Sequence, residues 1–253
     1  MTISSLPGYI QGYKFDDTDT AAYNSAGEYF IDQAGYSDSP ISRCTKELGT
    51  PSFVAVNSAR GLVLDNTCQW IMYPTMLWHG SVIVVMGAPG RYSTNDIMYP
   101  LTGGGAVGAT SNASIRLQRI NAASYRHQMF GASGVGSSNE DRSSDAIFAH
   151  CFSADQENRR GSSLRADGTG LVAAAVADND KGVEFLKDIG TETYDWGRGY
   201  KMGVLDGQRA VSTAFPNGDS MIICELHFFK DILTNTPTTA VEAELTALEA
   251  IYG

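Results

Sequence analysis

Features that would narrow the function of this chain of 253 residues are largely absent from it. It has no stretch of about 18 apolar residues, so the sequence predicts no transmembrane helix and no membrane insertion. The first residues, MTISSLPGYIQGYKFDD, lack the basic start and the apolar core of a signal peptide. We therefore expect a protein that is made in a cytoplasm and stays soluble.

Basic residues are scarce. Lys and Arg number 18 against 28 Asp and Glu, which gives a formal net charge of −10. The longest basic cluster, Arg159-Arg160, is typical of a solvated loop and does not offset this charge. Because a nucleic-acid surface requires positive charge along the phosphate backbone, the composition predicts no nucleic-acid partner.

Metal-ligand spacings are also missing. None of the four cysteines forms a CxxC pair, and no two histidines are spaced for a zinc site, so the sequence predicts no metal. Two cysteines lie inside apolar strands and are interpreted as buried thiols, and a disulfide between the other two stays an alternative. The buried pair is Cys151 and Cys224, and the other pair is Cys44 and Cys68.

Two other patterns resemble cofactor or ion sites. Residues 103–108 match G-x-G-x-x-G, but no helical pattern and no GK[ST] follow, so a hairpin loop is favoured and no cofactor is predicted. Two groups of aspartates offer oxygen ligands for calcium, but turn-forming Asp is the usual explanation for such clusters. The groups are Asp16, Asp17 and Asp19, and Asp178 with Asp180.

Short apolar or alternating segments, separated by turn signals, recur from Pro51 onward. Hydrophobic residues make up 43% of the chain, and 27 glycines suit many tight turns. Asp167-Gly168 predicts a hairpin turn. The pattern predicts an all-β sandwich or barrel. Its expected strands are residues 61–65, 69–73, 81–87, 113–121, 146–152, 164–168, 170–176, 200–205 and 220–229.

The clearest periodicity lies at the C-terminal end. The last strand alternates, so we expect Ile222, Cys224, Leu226 and Phe228 to share one face. A helix follows, with Thr238 or Thr239 as its N-cap and with Glu242 three residues after Thr239, as in a capping box. The apolar stripe predicted for this helix consists of Val241, Leu245, Leu248 and Ile251.

Several weak motifs occur in a fixed order through the second half. They are Ile147-Phe-Ala-His-Cys-Phe152, Ser163-Leu-Arg-Ala-Asp-Gly168, Gly199-Tyr-Lys-Met-Gly203, Gly218-Asp219 with Glu225-Leu-His-Phe-Phe229, and the terminal helix from Ala243 to Gly253. Together they resemble the concanavalin A-like lectin/glucanase superfamily, in its laminin-G-like jelly-roll branch. The resemblance implies an antiparallel β-sandwich jelly roll with one short C-terminal helix over residues 51–253. Residues 1–50 are expected to form an irregular N-terminal arm.

The resemblance leaves the function open, because the superfamily includes lectins, glycoside hydrolases, adhesion modules and virion proteins of tailed phages. The chain is rich in Gly, Ser, Thr and Asn and looks most like the phage members. We therefore expect a non-enzymatic structural protein of a phage or phage-like particle: a head decoration, spike or tail-fibre subunit. Its expected location is the virion, its expected partners are capsid or tail proteins, and it is expected to be a homo-oligomer such as a trimer.

The alternative is a lectin-like carbohydrate-binding module that recognises a host polysaccharide. Aromatic side chains in loops commonly anchor sugars. The candidate binding residues are Trp196, Tyr194, Asn179 and Asp180.

No catalytic residues are predicted. Hydrolases of the resembled superfamily carry Glu-x-Asp-x-x-Glu on one strand, and this chain has no such motif. Glu225 and His227 share a strand face and could act as an acid–base pair. The resemblance instead favours a structural role for both residues in the closing strand.

Overall fold

The computed structural model describes the following residues: 2–15, 28–30, 43–48, 52–57, 59–64, 69–72, 80–87, 97–103, 114–121, 124–130, 137–141, 147–155, 160–168, 170–172, 200–202, 221–235 and 239–253. The strands within these ranges are β1 (Tyr9–Lys14), β2 (Glu28–Phe30), β3 (Arg43–Leu48), β4 (Ser52–Val56), β5 (Ala59–Leu64), β6 (Gln69–Met72), β7 (Gly80–Gly87), β8 (Ile97–Gly103), β9 (Ser114–Asn121), β10 (Ser124–Phe130), β11 (Ser137–Asp141), β12 (Ile147–Asp155), β13 (Arg160–Arg165), β14 (Gly170–Val172), β15 (Tyr200–Met202) and β16 (Met221–Phe229). A 3-10 helix at Ile3–Ser5 precedes β1. A second 3-10 helix, Leu233–Asn235, and the α-helix α1, Thr239–Tyr252, follow β16.

The strands form two antiparallel sheets. The first sheet has the order β14-β13-β12-β7-β16-β5-β4, and β1 pairs with the part of β16 that extends beyond β5. The second sheet has the order β11-β10-β9-β8-β15-β6-β3-β2. Strands β8, β10 and β11 of the second sheet lie against β16, β13 and β14 of the first. The predicted fold is confirmed: an antiparallel β-sandwich of jelly-roll type with one short C-terminal helix.

The first sheet is buried on both faces, which explains the unbroken apolar runs in its central strands. Every residue of β7 is buried, and its side chains alternate between the two faces. Ile83 and Val85 belong to a cluster with residues of α1, whereas Val82 and Val84 lie on the opposite face. The molecule therefore has three layers in the order helix, first sheet, second sheet.

Helix α1 covers the first sheet with a stripe that differs from the predicted one at its last position. Val241, Leu245 and Leu248 are buried as expected, but Ile251 is 39% exposed. Tyr252 takes the fourth place, and its side chain is 2% exposed. Position 252 lies seven residues, or about two turns, after Leu245, so helical geometry favours it as much as position 251.

Strand β16 contains a bulge at Cys224, and the prediction of one shared apolar face is wrong for this reason. The register with β7 shifts between Ile223 and Glu225. An extra residue in one strand of a pair moves all the following side chains to the other face. Ile222 and Cys224 consequently lie under α1, whereas Leu226 and Phe228 face away from it.

Part of the segment expected to be an irregular arm is regular structure. Strands β1, β2 and β3 lie within residues 1–50, and β1 pairs with β16 along its full length. The amide of Phe15 extends the pairing by donating to the carbonyl of Cys224 at 2.9 Å. The prediction of irregularity misjudged β1 because its sequence, YIQGYK, does not alternate simply between apolar and polar residues.

Hydroxyl groups anchor the chain between β16 and α1. Ser81, Ser153 and Ser162 are direct cross-strand neighbours on β7, β12 and β13. The Ser81 hydroxyl donates to the carbonyl of Asp231 at 2.7 Å and accepts the amide of Leu233 at 2.9 Å. The Ser153 hydroxyl lies 2.7 Å from the Ser81 oxygen and donates to it, because the Ser81 proton is already bonded to Asp231. Ser162 bonds to the Thr234 hydroxyl. This row of serines fixes the position from which α1 starts.

Candidate functional site

The most elaborate polar site in the described part of the chain is a buried cluster around Glu225, between β16 and the C-terminal end of α1. Glu225 is 5% exposed and lies among apolar residues of the core. The Tyr252 hydroxyl donates to Glu225 Oε1 at 2.5 Å, and His227 Nε2 lies 2.8 Å from Glu225 Oε2. The bulge at Cys224 creates the cluster, because it turns Glu225 and His227 toward the helix.

Strand β1 closes the other side of this cluster. Lys14 Nζ lies 3.9 Å from Glu225 Oε1, and the Lys14 side chain is 44% exposed. Gly12 pairs with His227, and a Cβ added at Gly12 would lie 2.5 Å from His227 Nδ1. Glycine is therefore required at position 12 for β1 to approach the imidazole.

The charges of the cluster keep Glu225 ionised. Burial by itself raises the pKa of the Glu225 carboxyl. Hydrogen bonds from His227 and Tyr252, with the charges of His227 and Lys14, outweigh burial and lower the pKa below its ordinary value of 4.5. Because a carboxylate only accepts hydrogen bonds, His227 Nε2 carries the proton that it shares with Glu225.

This geometry argues against general-acid chemistry at Glu225. A general acid needs a proton at the working pH, and Glu225 is held ionised by hydrogen-bond donors from β16 and α1 and by the nearby charge of Lys14 on β1. His227 Nδ1 is buried and has no hydrogen-bond partner among the described residues. The cluster is therefore suited to joining α1, β16 and β1, in agreement with the structural role expected for Glu225 and His227.

A second buried polar pair lies on the opposite face of the first sheet. His150 and Arg165 are direct neighbours on β12 and β13, and both are buried. The imidazole is flanked by the rings of Phe148 and Phe152, at centroid distances of 6.4 and 5.7 Å. Arg165 Nη2 lies 3.2 Å from Asp167 Oδ2 in the hairpin turn. This ion pair between Arg165 and Asp167 supports the β13–β14 hairpin.

The predicted hairpin and the predicted buried thiols are both present. Gly168 has a φ of 77°, which favours glycine, and its amide bonds to the carbonyl of Arg165 at 3.0 Å. Cys151 and Cys224 are buried free thiols. Burial raises the pKa of Cys151 to about 12, against a smaller opposite effect of the bond to Ser153, and burial also raises the pKa of Cys224.

The carbohydrate-binding residues predicted from sequence lie outside the described residues, and so do both aspartate groups and Cys68. Within the described part of the chain, no group of three His, Cys, Asp or Glu side chains could hold a metal ion. No helix in the same part is long and apolar enough to cross a membrane. The predicted binding residues are Trp196, Tyr194, Asn179 and Asp180.

Sequence reasoning missed two members of the buried cluster, Lys14 and Tyr252. Lys14 is far from Glu225 in the chain, and no local pattern indicates the β1–β16 pairing. For Tyr252 a signal was present, because its spacing from Leu245 puts it on the buried stripe of α1. A buried tyrosine hydroxyl usually finds a hydrogen-bond partner.

The registers of β9–β11 bring several polar residues to one face of the second sheet. Arg126 pairs with Gln118 of β9 and with Asn139 of β11, and Gln128 pairs with Arg116. These five positions therefore share one face of β9–β11. The other face carries the pairs of Ile115 with Met129, of Leu117 with His127 and of Tyr125 with Arg119, so it is apolar at one end and mixed at the other. We call the first set the polar face of β9–β11.

Comparisons with known proteins show the fold and no family. No family model matches the chain, and no curated protein matches it either. Among solved structures, domain 4 of AbnA, a GH43 extracellular arabinanase from Geobacillus stearothermophilus in complex with arabinotriose, is 12% identical. The match covers 96% of this chain and 98% of that one, with a TM-score of 0.54.

Two further solved structures are similar over part of their length. The Trypanosoma rangeli sialidase in complex with sialic acid is 10% identical, and the match has a TM-score of 0.58. It covers 95% of this chain and 33% of the sialidase. Tailspike protein 2 from the Escherichia coli O157:H7 bacteriophage CAB120 is 11% identical over 81% of this chain and 28% of the tailspike, with a TM-score of 0.49.

Proposed function

We propose that this protein is a non-enzymatic, lectin-like carbohydrate-binding β-sandwich carried on the surface of a phage or phage-like particle. The observation that carries the proposal is the polar face of β9–β11. Helix α1 and the second sheet cover the two faces of the first sheet, so the free sheet face for a ligand is the outward face of the second sheet. The larger contacts of the described second sheet with other elements are those with β13, β14 and β16 of the first sheet.

The alternation of residue types predicts which face is outward. An antiparallel sheet with one solvated face alternates between apolar residues toward the core and polar residues toward water. The positions that pair Ile115 with Met129 are apolar, so we assign their face to the interior. By this assignment the polar face of β9–β11 is the outward one, and its five positions are two arginines and three amides by sequence, residue types suited to sugar hydroxyls and carboxylates.

The similarity to domain 4 of AbnA supports this proposal. That domain is a single sandwich of about the same extent, and its structure holds arabinotriose. The match covers 96% of this chain and 98% of that domain, so the two folds correspond over nearly the full length compared. We transfer only the type of function, carbohydrate binding, and leave the sugar open.

The absence of enzymatic activity is part of the proposal. Retaining glycosidases use two carboxyl groups about 5–5.5 Å apart, one of them protonated as the acid. Among the described residues the buried carboxylates are Glu225 and Glu244, and Glu225 is held ionised by its partners. Incubation with a bound polysaccharide is expected to release no reducing ends.

Binding is tested on a glycan array at high protein density, followed by titration calorimetry with the best ligand. We expect Arg126→Ala to weaken binding about ten- to hundredfold, since loss of one charged hydrogen bond costs about 1.5–3 kcal/mol. Lys230→Ala removes an exposed cation from the turn after β16 and serves as the matched control, with unchanged affinity. An array without hits above background, or equal affinities for the two variants, would contradict the proposed site.

The particle setting rests on the resemblance to concanavalin A-like phage virion proteins, and we propose membership of that superfamily with it. The order of the motifs from Ile147 to the terminal helix supports this assignment. Native mass measurement is expected to show a homo-oligomer such as a trimer, and proteomics of purified particles is expected to contain the chain. A monomer that never copurifies with a particle would refute the setting and leave the glycan proposal standing.

A further inference from the structure

The C-terminal end of α1 is attached to the first sheet through one buried carboxylate. The middle of α1 makes apolar contacts through Leu245 and Leu248, which do not depend on pH, and a hydrogen bond from the amide of Ala149 to Glu249. At the end of the helix the Tyr252 hydroxyl donates to Glu225 Oε1 at 2.5 Å. The attachment of the last turn of α1 therefore includes a bond that depends on the protonation of Glu225.

The groups around Glu225 come from each element packed against it. Lys14 of β1 lies 3.9 Å from Oε1, His227 of β16 lies 2.8 Å from Oε2, and Tyr252 of α1 donates to Oε1. Tyr9 of β1 faces the imidazole of His227, with 6.2 Å between ring centroids, and the Cys224 thiol precedes Glu225 on β16. The residue of β7 paired with Glu225 is the apolar Val85.

Other carboxylates of α1 have different neighbours. Glu249 Oε1 accepts the amide of Ala149 at 3.1 Å, beyond the end of β13, and Glu242 lies against Gly168 of the hairpin. Glu244 is 7% exposed. Glu249 is thus a second carboxylate that connects α1 with the sheet, and it provides the control for any effect of acid on the helix.

Protonation of Glu225 disrupts the hydrogen bonds observed. The carboxylate accepts from Tyr252 on one oxygen and from His227 on the other. A proton on Oε2 faces the N–H of His227, a proton on Oε1 forces the Tyr252 hydroxyl to turn from donor to acceptor, and either one removes the attraction to Lys14. A charge on His227 alone has the opposite effect, since it strengthens the bond to the carboxylate.

We propose that Glu225, His227 and Tyr252 form an acid-operated latch, which holds α1 on the first sheet at neutral pH and releases it in acid. Release uncovers the apolar surface beneath the helix, including Ile83 and Val85. This inference is independent of the proposed glycan binding.

The direction of the pH dependence follows from the surroundings of Glu225. Because the pKa of this carboxyl is lower in the folded protein than its ordinary value of 4.5, the latch stabilises the docked helix fully above pH 4.5. The stabilisation decreases as the pH falls from 4.5 through the folded-state pKa. Each unit between the two pKa values corresponds to about a tenfold change in the docking equilibrium.

Hydrogen exchange of the full-length wild-type protein, read by mass spectrometry as protection factors, tests the latch directly. We expect protection in α1 to fall about tenfold or more between pH 7 and pH 3, while β7 and β12 keep theirs, and to recover on return to pH 7. Unchanged protection in α1 would overturn the proposal. A simultaneous loss in α1 and β7 would overturn it as well, because it would show global unfolding.

Two variants identify the group that titrates. Glu225→Gln removes the titration at nearly constant shape, so α1 is expected to be weakly protected at pH 7 and to change little in acid. Glu249→Gln retains the latch and is expected to show the wild-type fall. A wild-type fall in Glu225→Gln, or its loss in Glu249→Gln, would overturn the assignment to Glu225. If Glu225→Gln does not fold, the wild-type measurement and Glu249→Gln decide the question.

Discussion

At the scale of single residues, close approach of backbones explains why particular positions are glycine. Gly61 lies on β5 beside the bulged part of β16. A Cβ at this position would lie 2.2 Å from Cγ2 of Ile222 and 3.0 Å from Sγ of Cys224. Both side chains point toward α1 and fill the space that a side chain at position 61 would need, so the bulge in β16 requires a glycine on β5.

We predict that Gly61→Ala destabilises the protein by about 1–3 kcal/mol, because the added methyl group overpacks a filled core. Urea unfolding followed by circular dichroism measures the change in the free energy of unfolding. Ala55→Ser, at an exposed position on the neighbouring strand β4, is the control and is expected to change stability by less than about 0.5 kcal/mol. An unchanged unfolding midpoint for Gly61→Ala would show that Ile222 can move aside.

At the scale of elements, α1 shows how a helix of 14 residues is held on a sheet. An isolated helix of this length is marginal in water, so its stability here comes from packing of one face. That face combines aliphatic residues in the middle with Tyr252 at the end, where a hydroxyl is needed. The 3-10 helix Leu233–Asn235 positions the helix through the row of serines.

Two aliphatic residues of α1 give a matched test of this packing. Leu245→Ala is expected to cost about 2–5 kcal/mol, because Leu245 is fully buried and its removal leaves a cavity. Ile251→Ala, at a position that is 39% exposed, is expected to cost less than about 1 kcal/mol. Chemical unfolding of both variants measures the difference, and equal costs would contradict the observed orientation of the helix.

At the scale of the whole molecule, burial of both faces of the first sheet protects its centre from solvent. Cys151 lies on β12 and Cys224 on β16, two strands that flank β7, and neither thiol is exposed. Burial raises the pKa of both thiols, to about 12 for Cys151, so both are neutral at pH 8. The thiolate is the reactive species, so both residues are protected by their burial and by their raised pKa.

We therefore predict that Cys151 and Cys224 are labelled by an alkylating reagent at pH 8 only when the molecule unfolds. In unfolded chains the thiol pKa returns to its ordinary value of 9.0 and a fraction reacts. Peptide mapping after labelling in increasing urea is expected to show the two cysteines reacting together, at the global unfolding midpoint. Fast labelling in native buffer would show that the first sheet opens locally.

Much of the strand series was predictable because its signals are local. The unbroken apolar run of β7, the alternation in β9 and the turn at Asp167-Gly168 each depend on a few neighbouring residues. The bulge at Cys224 was not predictable, since an extra residue has no local signature in an apolar strand. Its consequence is large, because it decides which face Glu225 and His227 occupy.

The amino-acid sequence by itself determined the class of fold, the C-terminal helix and the burial of two cysteines, since these follow from residue type and period along the chain. Only the tertiary structure decided the pairing of β1 with β16, the place of Tyr252 and the cluster around Glu225. The pairing of β1 with β16 joins segments about 200 residues apart, and the bond from Tyr252 to Glu225 requires that the helix fold back onto its sheet, which residue type alone does not determine. The polar face of β9–β11 needs both sequence and tertiary structure, because the sequence supplies the polar residues and strand pairing brings them to one face.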